Sequence, residues 1–238
     1  MIKIKNFKIH IYLDGANILD FKKYKNNKLI KGFTTNPTLM RKAGINNYEK
    51  FCKQSLKIIK HKPISFEIFA DEINQIKKQA EIITKWGKNV YVKIPVINTK
   101  NFNNAGLIGD LNKQGVKINV TAVFTIEQTK QILKKVGKKT QIIISVFSGR
   151  IADTGLDPKI EISKHIKLAK KFPNVRILWA SVRQSYNLIE AEKSKCNIIT
   201  VPPEILEKLI TFNKDLNQFS IETVKMFYLD AKKSKYNI

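Results

Sequence analysis

Eight short runs of β-branched and apolar residues recur along the 238-residue chain, roughly one every 23 to 33 residues, and this rhythm constrains the fold more than any other feature. The runs occupy positions 8–14, 31–36, 64–70, 89–96, 117–124, 141–147, 175–181 and 197–202. Their spacing suits one strand plus one helix per unit. Between the second and third runs, Tyr48, Phe51, Cys52, Leu56 and Ile59 recur with helical periodicity and fall on one face. Most of the runs are apolar on both faces, as a covered parallel sheet requires. Eight β-then-α units favour an α/β fold of the TIM (β/α)8 barrel type over an open doubly wound sheet. No GxGxxG or Walker A segment interrupts the pattern. The expectation is one domain over 1–238, with an extra amphipathic helix at about 218–238 whose apolar face shows in 222–228.

In such a barrel the chemistry sits at the C-terminal ends of the strands. Those ends are unusually polar here: Asp14 on the first, Asn36 on the second, Glu67 on the third, Lys93 on the fourth, Asn119 and Thr121 on the fifth, Ser145 on the sixth and Ser181 on the seventh. Lys93 stands out, because Val92 and Ile94 flank it and Tyr91, Pro95 and Val96 lie close by. A lysine in apolar surroundings is expected to lose its proton more readily, and a free amine is a nucleophile suited to a Schiff base with a carbonyl substrate.

Composition narrows the partners. The net charge is +25, yet the lysines are scattered through every helical segment instead of forming one stripe, and Lys, Asn and Ile are inflated together. That points to compositional bias more than to a dedicated nucleic-acid surface. Only four arginines stand against 40 lysines, and two of the four, Arg150 and Arg183, follow the sixth and seventh strand ends beside hydroxyl residues. There a planar fork suits a phosphate. Two cysteines, Cys52 and Cys196, form no framework and fit a reducing cytoplasm. The first ten residues lack the apolar run of a signal peptide, and no stretch reaches the ~18 apolar residues of a membrane span. His10, His61 and His165 lie far apart and away from the strand ends, so no metal site is expected.

Six segments, in order, carry a resemblance: Tyr-Leu-Asp-Gly-Ala-Asn (12–17), Thr-Thr-Asn-Pro-Thr (34–38), Val-Lys-Ile-Pro-Val (92–96), Asn-Val-Thr-Ala (119–122), Phe-Ser-Gly-Arg-Ile (147–151) and Ala-Ser-Val-Arg (180–183). Together they resemble the short-form transaldolases, the group that also includes fructose-6-phosphate aldolase. Only about the first seven residues lie outside the resemblance. It implies a metal-independent, cofactor-free transfer of a dihydroxyacetone unit between sugar phosphates, in carbohydrate metabolism of the pentose phosphate type. It makes Lys93 the Schiff-base lysine and Asp14 the acid/base group at the donor's C4 hydroxyl. Glu67 and Thr121 would hold the proton-shuttling water. Asn36, Asn119 and Ser145 would bind the dihydroxyacetone end, and Arg150, Ser181 and Arg183 the distal phosphate. Glu67 and Phe147 stand where the aldolases of the group tend to carry Gln and Tyr, which favours transfer over release. The resemblance also implies a cytoplasmic homo-oligomer, a pentamer or decamer, joined through the C-terminal helix, whose alternative is packing on its own barrel. Gly15 departs from the pattern, since Thr or Ser often follows the aspartate. Three rival readings are an aldolase releasing free dihydroxyacetone, a non-catalytic basic barrel binding polyanions, and another Schiff-base barrel enzyme such as a deoxyribose-phosphate aldolase.

Overall fold

The computed structural model describes residues 6–236. The expectations for the first five residues, and for positions 237 and 238 of the single domain and its tail helix, lie outside the described residues. Within them, eight parallel strands close into one barrel in chain order: β1 (His10–Asp14), β2 (Ile30–Thr34), β3 (Ile64–Glu67), β4 (Val90–Pro95), β5 (Ile118–Val123), β6 (Ile142–Val146), β7 (Val175–Trp179) and β8 (Ile198–Val201), with β8 pairing back to β1. The intervening helices are α1 (Ile18–Tyr24), α2 (Pro37–Lys42), α3 (Tyr48–Ile58), α4 (Ile73–Thr84), α5 (Ala105–Lys113), α6 (Ile126–Lys135), α7 (Ser148–Asp153), α8 (Pro158–Ala169), α9 (Asn187–Lys193) and α10 (Pro203–Glu207). The tail forms α11 (Leu216–Lys233).

Alternation along the strands explains the two apolar faces. Leu13, Phe33, Phe66, Val92 and Ile94 face outward into the layer shared with the helices, all essentially fully buried. Tyr12, Tyr91, Ile143, Leu178 and Ile198 face inward and fill the barrel. Gly32 makes room for that filling: a Cβ there would meet the Tyr12 ring at about 2.5 Å, the close approach that marks glycine in a strand interior.

Several strands are shorter than their apolar runs. β2 stops at Thr34, β3 at Glu67, β6 at Val146 and β7 at Trp179. The cause is local, because the residues beyond leave the ladder to start the loops and helices. Asn36, for example, is in extended backbone and caps α2, its Oδ1 accepting from the Leu39 amide at 2.9 Å, with Pro37 at the first helical position.

Candidate active site

The C-terminal mouth of the barrel encloses a cavity of about 540 Å³, and ten of the eleven residues singled out from the sequence line it. They are Asp14, Asn36, Glu67, Lys93, Thr121, Ser145, Phe147, Arg150, Ser181 and Arg183. The eleventh, Asn119, lies beneath the cavity surface and is wholly buried. Its Nδ2 donates to Ser65 Oγ at 3.0 Å and its Oδ1 accepts from Ser145 Oγ at 2.6 Å. Both ends of the amide are thus engaged, and Asn119 holds Ser145 in place beside Lys93, its register partner on β4.

Lys93 is 6% exposed, but its setting differs from the apolar one its sequence neighbours suggest. Val92 and Ile94 point out of the barrel, whereas Lys93 points in, and its neighbour across the β3–β4 ladder is Glu67. The Lys93 Nζ lies 2.9 Å from Glu67 Oε2 and donates to the Thr35 carbonyl at 3.0 Å. A buried ion of either sign is costly without such a partner. The strand sequence hides this because period-two alternation puts the counter-charge on the adjacent strand.

Asp14 closes the other side of the cavity floor. Burial pushes its carboxyl above the usual carboxylate range; the Lys93 charge and the hydrogen bond from Thr34 pull it back, and Glu67 and Glu204 add to the rise. Thr34 Oγ1 donates to Asp14 Oδ1 at 2.7 Å and is also paired with Thr200 Oγ1. Thr200 and Glu204 line the mouth and were not singled out in the sequence, although Thr200 follows the same inward alternation at the end of β8. The Thr121 hydroxyl is buried and has no hydrogen-bond partner among the described residues, which leaves it available inside the cavity. Gly15, where the sequence departs from the familiar pattern, is undemanding: a Cβ there meets nothing within 4 Å, so the backbone after Asp14 does not depend on glycine.

The two arginines come from α7 and the loop after β7, and Gly149 is what lets these segments touch. A Cβ at 149 would fall 1.5 Å from the Ser181 carbonyl oxygen, an impossible overlap. Ser181 itself has φ +62°, and Ala122 on the β5 side of the mouth has φ +55°. Such left-handed non-glycine positions cost on the order of 1 kcal/mol or more and collect at functional sites. Arg150 lies over the Phe147 ring, 5.5 Å from its centroid, while Arg183 is paired with Asp153 of α7, a partner the sequence did not disclose. Each guanidinium is therefore steered to the rim, where an anionic end of a substrate would meet both forks.

The histidines are elsewhere. His10 begins β1 at the opposite end of the barrel, His61 is exposed, and His165 is buried with Nδ1 paired to Thr129 Oγ1 at 2.7 Å, burial lowering its pKa to about 4. Both cysteines are buried and free. No helix among the described residues is long and apolar enough to cross a membrane.

Known proteins resemble this chain in sequence and in fold. The family model described as transaldolase/fructose-6-phosphate aldolase matches residues 11–238. A probable transaldolase of Dehalococcoides mccartyi is 32% identical over 203 residues, covering 85% of this chain and 90% of its own. A probable transaldolase of Methanococcus maripaludis strain C7 is 34% identical over 212 residues, covering 89% and 93%. Among solved structures, orotidine 5'-monophosphate decarboxylase from Metallosphaera sedula superposes with a TM-score of 0.52 at 10% identity, covering 91% of this chain and 97% of that one, a likeness of fold alone.

Proposed function

The chain belongs to the transaldolase/fructose-6-phosphate aldolase family, and from that premise we propose that it transfers a dihydroxyacetone unit between sugar phosphates through a Schiff base on Lys93. The observation that carries this reading is the placement of the Lys93 amine, 2.9 Å from Glu67, in a cavity shared with Asp14 and rimmed by Arg150 and Arg183. Glu67 accepts a proton from the ammonium, and the amine adds to the C2 ketone of a donor such as fructose 6-phosphate. Water leaves with protons relayed between Glu67 and the Thr121 hydroxyl, giving a protonated imine. Asp14 then takes the C4 hydroxyl proton, the C3–C4 bond breaks, and its electron pair moves onto the imine nitrogen as an enamine. A carboxyl raised by burial suits this role, since it holds a proton more readily than an ordinary carboxylate does. The aldehyde product departs, an acceptor aldehyde is attacked by C3 of the enamine, and Asp14 returns the proton to the new alkoxide. Hydrolysis of the imine frees Lys93.

Asn36 and Ser145 face the three-carbon end, and Arg150, Ser181 and Arg183 grip the phosphate, whose binding energy orients the reacting carbons at a distance. Phe147 offers no phenol to place a proton on the enamine, which favours transfer over release of dihydroxyacetone. The test is product analysis. Fructose 6-phosphate with an aldose-phosphate acceptor is expected to give the transfer product much faster than free dihydroxyacetone appears without acceptor. Equal rates would assign the aldolase reaction instead.

The protein is also proposed to act as a homo-oligomer. None of the residues of α11 is buried, and Val224, Phe227 and Tyr228 are each more than 60% exposed, which supports a helix that packs on a second copy instead of on its own barrel. Sedimentation of the full chain as a monomer would refute this.

A further inference from the structure

The opposite, N-terminal end of the barrel carries charge of another kind. The inward side of the strands there presents His10, Lys117 and Arg176, and Arg176 is one of the four arginines, spent far from the mouth. Beside this floor lies a second cavity of about 600 Å³. Trp86 and Tyr91 are its aromatic lining, Lys60, Lys88 and Lys117 its cations, with His61 beside them; no carboxylate of the described residues lines it. Some lysines elsewhere meet acids, as in Lys23–Glu207, Lys53–Glu49, Lys100–Glu72 and Lys164–Glu161. Lys60, Lys88, Lys117 and Arg176 are not among the ion pairs of the described residues.

The site is also built, not merely charged. Lys117 Nζ donates to the Lys88 carbonyl at 2.9 Å and sits 6.0 Å from the Tyr91 ring centroid, so its position is fixed. The Tyr91 hydroxyl donates to Gln141 Oε1, and the Gln141 amide NH2 has no hydrogen-bond partner among the described residues. Trp86 packs against Tyr48 and Phe66 and lines the cavity. The crowding is felt nearby: His10 is lowered by burial and then by Arg176 and Lys31, and Lys62 by burial and then by Lys31.

We propose that this floor is a second ligand site, separate from the catalytic mouth, that takes a nucleoside polyphosphate. Its ring lies on the Trp86–Tyr91 wall and its phosphates are held by Lys60, Lys88 and Lys117. Convergent unpaired cations select a multivalent anion, the aromatic wall selects a flat ring, and the volume falls within the usual range for small-ligand pockets.

The test titrates the full chain with ATP, adenosine and inorganic tripolyphosphate in about 0.15 M salt, a concentration that screens exposed charges beyond ~8 Å. Binding is read by calorimetry and by tryptophan emission. The chain has two tryptophans, and Trp179 is fully buried, so an emission change reports Trp86. ATP is expected to bind and to shift the emission, tripolyphosphate to bind at least tenfold more weakly, and adenosine not to bind. Trp86→Phe should remove the emission change. Lys88→Glu, at an exposed position, and Lys117→Ala should each weaken ATP binding at least tenfold, while Arg183→Ala at the mouth leaves it within twofold. Circular dichroism and thermal melts establish that each variant is folded. Several results would overturn the proposal. These are no ATP binding at millimolar concentration, tripolyphosphate binding as tightly as ATP, loss through Arg183→Ala instead of Lys88→Glu, or an equal loss from Lys130→Glu on a distant helix, which would mean diffuse surface charge only.

Discussion

At the C-terminal mouth the buried charged groups have partners, Lys93 with Glu67 and Asp14 with Thr34. At the N-terminal floor, among the described residues, Lys88, Lys117 and Arg176 stand without a carboxylate. Both ends belong to one barrel and draw on one lysine-rich composition, so the contrast reflects what each end must do. A reactive amine taken out of water needs a counter-charge that holds it and exchanges protons with it. Cations that remain half-solvated need none, and their unpaired state leaves them free for an anion. At the mouth the buried Lys93 is held by Glu67, while the floor lysines remain open to an anion.

The substitution with most power to undo this contrast is at Lys93. Lys93→Ala is expected to lower turnover by at least about 10³-fold, the scale on which covalent and acid–base groups operate, with an unchanged circular dichroism spectrum. Retained turnover would make the lysine structural and the mouth no more chemical than the floor. Next comes Asp14. Asp14→Ala should cut carbon–carbon bond cleavage by about 10²- to 10⁴-fold while imine formation, followed by borohydride reduction, persists; loss of both steps together would assign it a different role. Asp14 also has a pH signature. Its carboxyl is raised in the folded chain, so the native state binds more protons than the unfolded one above the ordinary carboxylate pKa, and stability falls as pH rises through that window. Asp14→Asn should therefore melt at a higher temperature than the parent at pH 7, with the gap closing as the pH is lowered toward 4. A gap that widens toward acid would mean that the fold holds this carboxyl below its ordinary range instead.

Smaller effects refine the geometry of the rim. Gly149→Ala places a methyl carbon where the Ser181 carbonyl oxygen lies, so α7 must shift and carry Arg150 away from Arg183. The expected result is a KM for fructose 6-phosphate raised about tenfold, a loss of roughly 1.4 kcal/mol of binding, with little change for an unphosphorylated ketose. The smallest effect is at Asp153, which engages the Arg183 guanidinium through its carboxylate. Asp153→Asn releases that fork and should lower the KM for the phosphorylated donor a few-fold, the modest scale of an exposed ion pair. An increase would show that Asp153 positions the arginine for phosphate instead of competing with it.

Much of the barrel is legible in the chain because parallel strands are buried on both faces and repeat at a fixed interval. Any charged residue in or at the end of such a run, as Asp14, Glu67 and Lys93 are, then stands out against its neighbours. What the sequence hides is relational. Glu67 is 26 positions from Lys93 along the chain and 2.9 Å away across the ladder, and no local pattern announces that register. Thr200 and Asp153 acquire meaning only when β8 closes on β1 and α7 packs against the loop after β7. Asn119 reads as a substrate contact, yet Ser65 and Ser145 occupy both ends of its amide. The left-handed turns at Ala122 and Ser181 lack a glycine to signal them. The floor cavity is the hardest to foresee, because its lysines look like every other lysine in the chain until the fold gathers them beside Trp86 and Tyr91.

A covalent imine between Lys93 and a ketose phosphate underlies everything proposed for the mouth. Borohydride reduction in the presence of fructose 6-phosphate, followed by mass mapping of the digested chain, makes that bond permanent and locates it. A reduced dihydroxyacetone or sugar adduct on the peptide carrying Lys93, absent from Lys93→Ala, is the expected result. An adduct on another lysine, or none in protein shown to be folded, would contradict it.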